Sequence, residues 1–145
     1  MIARARTAVG AAFLTLVLAG CGRSVITAGR LEPAIATTFA NLVHAQLARM
    51  GLHAIPASDL KVVASCYRVG GGSSGAGEWA CTLVWSGPNG ATLRDNYDVV
   101  VGANGCYTAT LTSAEAQLGG PTVVARDGRH VSNLLYAFDG CFDTM

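Results

Sequence analysis

Five cysteines, Cys21, Cys66, Cys81, Cys106 and Cys141, carry most of the reactive chemistry that this sequence offers. Thiols can bind metal, cycle between dithiol and disulfide, carry an acyl group or staple a fold. Spacing sorts these roles. Zinc ligands usually come as close pairs and a redox-active pair is most often C-x-x-C, whereas the last four cysteines lie 15, 25 and 35 residues apart. Two structural disulfides are the better reading, and Cys21 then needs a role of its own. The other candidates for chemistry are sparse. His44 falls on the polar side of an expected helix and His130 sits at a turn tip beside Asp127 and Arg129, both positions that face solvent. His53 follows the helix, with the core and the sheet both open to it. No spacing proposes a nucleophile, a base and an orienting acid. Asp95 and Asp98 belong on opposite faces of a strand, while Asp139 and Asp143 flank Cys141 in a terminal loop; all four are expected to be solvated. The run GGGSSGAG at 70–77 lacks the lysine of a phosphate-binding loop and leads into a strand, so it reads as a hairpin loop. No cofactor is implied.

Cys21 closes a distinctive leader. Arg4 and Arg6 precede an apolar run from Ala8 to Leu18, and the small residues Ala19 and Gly20 follow. A basic start, about ten apolar residues and a small-residue zone make a signal peptide; a spanning helix needs about 20. Leu18-Ala19-Gly20-Cys21 resembles the lipobox of bacterial lipoproteins at all four positions. That resemblance implies diacylglycerol on the Cys21 sulfur and cleavage before it. A secreted protein cut at an A-x-A site is disfavoured, because Leu18 stands where a small residue belongs. The expected organisation is a signal peptide at 1–20, a tether at 21–31 and one α+β domain at 32–145. The expected location is the outer face of the bacterial cytoplasmic membrane, with the membrane itself a partner through acylated Cys21. The full chain has a net charge of +1 and no basic tract, which argues against nucleic acid as a partner.

An oxidising compartment favours disulfides. Residues 60–69 and 78–86 read as strands flanking the Gly/Ser loop. With Cys66 opposite Cys81, Ala64 faces Leu83 and Val62 faces Trp85, so one apolar face forms on both strands at once. A slip of one residue would destroy this agreement. The pairing Cys66–Cys81 follows, and Cys106–Cys141 remains. Trp79 and Trp85 share that face and are expected in the core; ligand contact is their alternative role.

The elements that must hold these residues follow in order. Pro33 suits a first helical position, and Ile35, Phe39, Leu42, Val43, Leu47 and Met50 form one stripe that stops at Gly51. Gln46 interrupts that stripe, a position where its amide would serve by bonding to a strand end. Further strands are expected at 97–101 and 106–111, joined by Asn104-Gly105. A short helical turn is expected at 113–118. A small hairpin at 122–131 turns at Asp127-Gly128, and extended cover at 133–138 is tied back by Cys141. The fold class is α+β: one N-terminal amphipathic helix on a four- to five-stranded antiparallel meander with two disulfides.

The segments from Cys66 to Cys81, Tyr97 to Tyr107 and Tyr136 to Thr144 carry C-x(3)-GG…G-x-W-x-C, Y-D-V-x-V…N-G-C-Y and Y-x-F-x-G-C-F-D-T. Together they resemble an uncharacterised actinobacterial exported protein family. The chain departs from that pattern at Asn133-Leu134-Leu135, where Asn-Pro-Leu is expected. The resemblance implies export and paired cysteines, and no activity. The functional expectation is therefore a non-enzymatic binding or interaction module of the cell envelope. Its partner would be an envelope protein, a glycan or a small ligand. A small envelope hydrolase and an accessory ligand-binding lipoprotein of a transport system are the alternatives. An apolar groove without convergent His, Ser and acid would favour the binding module.

Overall fold

The computed structural model describes residues 25–112 and 118–144. Cys21, the whole leader and most of the helical turn expected at 113–118 lie outside the described residues. Helix α1 spans Ala28–Arg49 and packs across one face of an antiparallel sheet. The sheet consists of β1 (Val63–Arg68), β2 (Gly77–Ser86), β3 (Thr92–Val101), β4 (Cys106–Leu111) and a last strand, β7 (Ala137–Cys141). Its order is β1-β2-β3-β4-β7; between β4 and β7 the chain forms a separate hairpin, β5 (Thr122–Val124) and β6 (His130–Ser132). This is the expected α+β architecture, with five strands.

Helix α1 starts earlier than Pro33. Ile26 and Leu31 are buried, Thr27 bridges to Ser74, and the Gly75 N–H donates to the Ile26 carbonyl at 2.8 Å. The tether expected at 21–31 is therefore packed structure from Ile26 onward, and the domain begins before residue 32. Proline is only a local start signal; burial of Ile26 and Leu31 outweighs it, and Pro33 is carried inside the helix. The other end obeys the sequence. Gly51 adopts φ +70°, its N–H donates to the Ala48 carbonyl at 3.0 Å, and the Leu52 N–H donates to the Leu47 carbonyl at 2.9 Å. That is a Schellman stop, for which glycine has no Cβ penalty.

The β1–β2 ladder pairs Cys66 with Cys81 and Ala64 with Leu83, and the two cysteines form a disulfide. Cys106 likewise faces Cys141 across β4 and β7 and is bonded to it. The two bridges sit on opposite faces of the sheet. Cys66 and Cys81 are buried with the core, whereas Cys106 and Cys141 share the parity of exposed Thr108 and Asp139. At β1, the Glu32 carboxylate accepts the outward N–H of Cys66 at 2.9 Å, so α1 satisfies a donor on this sheet edge.

Inward parity along β2 buries Trp79, Cys81, Leu83 and Trp85; along β3 it buries Asp95, Tyr97, Val99 and Val101. Phe39 of α1 lies over this face with its ring 5.7 Å from Trp85 and 6.0 Å from Tyr97, both edge-on. Tyr107 lies across Gly140, its ladder partner; a Cβ there would meet the phenol oxygen at 2.5 Å, so only glycine fits under the ring.

Candidate ligand-binding site

The C-terminal end of α1 does not seal against the sheet. Between it, the β2–β3 turn and the arm 118–135 lies a cavity of about 330 Å³. Val43, Leu47, Met50, Leu52, Trp85, Leu93, Leu118, Val123 and Leu135 supply its apolar wall, and Gln46 and Asn133 are its two polar side chains. Among the described residues, no His, Ser, Cys, acid or cation lines it.

Each polar neighbour has a traceable task. Asn133 organises the arm: its amide nitrogen donates to the carbonyls of Leu118 and Gly120 at 2.7 and 2.9 Å, and its amide oxygen accepts the Leu135 N–H at 3.1 Å. Gln46 ties the arm to the helix, its Oε1 accepting the Leu134 N–H at 2.8 Å. The expected bond from this amide is thus made to the backbone that leads into β7. Its Nε2 is buried with no partner among the described residues. Behind the Trp85 wall stands Asp95, fully buried; its Oδ2 accepts the Trp85 indole N–H at 3.0 Å, and its Oδ1 has no partner among the described residues. Burial raises the Asp95 carboxyl above its ordinary range, and the indole hydrogen bond partly offsets this. Burial, with the Asp95 charge adding to it, also raises the Tyr97 phenol, whose hydroxyl donates to the Leu135 carbonyl at 2.8 Å.

The structure brings few of the chemically capable residues together. Both tryptophans are core, at 1% exposure for Trp79 and 5% for Trp85; only Trp85 reaches this cavity. The expectation of four solvated aspartates is corrected at Asp95, because β3 begins at Thr92 and its parity turns Asp95 inward opposite Leu83. Asp98 and Asp139 are exposed strand residues and Asp143 is exposed beyond β7, so Asp139 belongs to a strand and not to a terminal loop. His53 is exposed and so is not part of the core. His44 is exposed, its Nδ1 donating to the Ile55 carbonyl at 2.8 Å, and His130 is exposed in β6. Disulfide bonding takes all four described cysteines out of metal and thiolate chemistry. Among the described residues no group of three or more His, Cys, Asp or Glu is placed to hold a metal ion, and no helix is long and apolar enough to cross a membrane.

Asp95 and Asn133 escaped the sequence reading as site residues. Parity would have found Asp95, since it alternates with Tyr97, Val99 and Val101. Asn133 gives no local signal, because its partners lie 13 and 15 residues away. No family model, curated protein or solved structure matches the chain.

Proposed function

We propose that this protein is a lipid-anchored extracytoplasmic binding module, held to the outer face of the cytoplasmic membrane through acylated Cys21, that takes a small apolar ligand in the cavity beside Trp85. The observation that carries the reading is the cavity itself. It lies in the size range of small-molecule sites, its wall is almost wholly apolar, and its described lining includes no His, Ser, Cys or acid. The four residues Leu18-Ala19-Gly20-Cys21 support the anchor, and two disulfides suit an oxidising compartment.

The neutral fluorophore N-phenyl-1-naphthylamine tests the site. Saturable fluorescence enhancement is expected with the parent domain, and Val123→Trp, which fills the cavity from the hairpin side, should abolish it. Equal enhancement in both proteins would overturn the reading. For the anchor, Cys21→Ala should be lost from the membrane fraction; normal processing and retention of that variant would remove the acyl attachment.

A further inference from the structure

Met50 is shared between the apolar cavity and a second cleft of about 340 Å³ on its other side, lined by Ala48, Arg49, Gly51, Ala125, Arg126, Asp127 and Arg129. The two clefts follow one seam, where the end of α1 meets the β5–β6 hairpin. The second is basic. Its one acid, Asp127, is taken by Arg129, which donates from Nε at 2.6 Å. Arg49 and Arg126 are exposed and form no ion pair among the described residues. The helix end does not use up this charge: the carbonyls of Leu47, Ala48 and Met50 already accept the N–H groups of Leu52, Gly51 and Arg126.

An apolar chamber without a cation therefore adjoins two unpaired guanidinium groups, with a flexible methionine between them. Resting on the ligand site proposed above, we infer that the ligand is a single-chain amphiphile with an anionic head, a carboxylate or a phosphate monoester. Its chain fills the cavity beside Trp85 and its head lies across Met50 at Arg49 and Arg126. Methionine suits the crossing because its unbranched thioether adapts to what passes it. Guanidinium suits the head because it meets carboxylate and phosphate oxygens in a bidentate fork. A neutral chain alone would leave both arginines without a task at the site.

Displacement of N-phenyl-1-naphthylamine by decanoate, decyl phosphate and decanol separates the possibilities. Decanol is the more apolar competitor, so chain burial alone would make it the strongest. The expected result is that the anionic competitors displace the probe at roughly fivefold lower concentration than decanol, the scale of exposed ion pairs. This advantage should shrink at high salt. Whichever anion is stronger identifies the head as carboxylate or phosphate. In the Arg49→Gln/Arg126→Gln protein the advantage should vanish while the probe still binds. An advantage for decanol in the parent, or an anion preference that survives in the double variant, would overturn the inference and leave the apolar site standing. Failure of the probe to bind the parent would remove both.

Discussion

Trp79 and Trp85 stand on the same strand and the same face, yet they mark two different ends of the molecule. Trp79 is sealed under the start of α1. Its indole N–H donates to the Gly75 carbonyl at 3.2 Å, and the Gly75 N–H in turn donates to Ile26 at the entry to the helix. Trp85 lies under the exit of the helix, where it walls an open cavity and its indole N–H is spent on a buried carboxylate. Both disulfides belong to the sealed half: Cys81 is two residues from Trp79, and Cys106–Cys141 joins the strands beside Val101, which pairs with Gly77. The open half contains no described cysteine and is closed by an arm that hangs on Asn133 and Gln46. Stability and the proposed binding thus divide along one strand. The stapled end can hold the fold while the other end leaves apolar surface uncovered.

Removing the bridges should produce the largest effect and is the harshest test of that division. In the chain-entropy account, separations of 35 and 15 residues correspond to about 4 and about 3 kcal/mol. Domains are typically stable by about 5–15 kcal/mol, so a protein lacking both bridges should be largely unfolded at moderate urea concentrations. Singly, Cys106→Ser/Cys141→Ser should lower the urea midpoint more than Cys66→Ser/Cys81→Ser. If the terminal pair proves dispensable, β7 is held by its packing on β4 alone, and the stapled half owes its stability to burial.

The tryptophans themselves come next. Trp79→Ala empties a closed site and should cost about 3–5 kcal/mol. Trp85→Ala should cost less, although it leaves Asp95 without its indole donor. The truncation merges with the existing cavity, so water can reach and solvate the carboxyl. Urea titration of both variants decides. A larger loss at Trp85 would mean that the cavity stays dry and that the two ends are equally closed. Probe binding should divide the other way, kept in Trp79→Ala under folding conditions and weakened in Trp85→Ala.

How much of this was legible depends on how far each feature's partners lie along the chain. The β1–β2 register could be read because two alternating apolar sets agree in only one alignment, and Cys66–Cys81 follows from it. Gly51 could be read because a helix stop is local. The start of α1 could not, since Pro33 signals locally while Ile26 and Leu31 are held by packing. Asp95 was legible only in part: its parity with Tyr97, Val99 and Val101 turns it inward once Thr92 to Asn96 is taken as strand, but that mostly polar run becomes strand because β2 supplies partners along its whole length. The cavity was the least accessible, being assembled from helix end, strand turn and distant arm. Its one sequence trace is Gln46, a polar residue in an apolar stripe.

The smallest expected effect concerns Asp95 and asks whether the open end gives up stability for its shape. A carboxyl whose folded-state pKa is raised by burial holds its proton to higher pH in the folded protein than in the unfolded chain. Below the unfolded value, near 3.8, both states are protonated and ionisation costs the fold nothing. As pH rises from there to the raised folded value, the unfolded chain releases its proton first, and stability falls. Above the folded value the penalty is complete and constant. Asp95→Asn keeps an oxygen for the Trp85 indole N–H and removes the ionisation. The difference in unfolding free energy, variant minus parent, should therefore be more positive at pH 7 than at pH 4, with the change confined to the interval above 3.8. Urea titrations across that range measure it. A flat difference would show that the Asp95 carboxylate is as well solvated folded as unfolded, with water entering past Trp85; the open end would then be wetter than its apolar wall implies, and a chain buried there would have to displace that water.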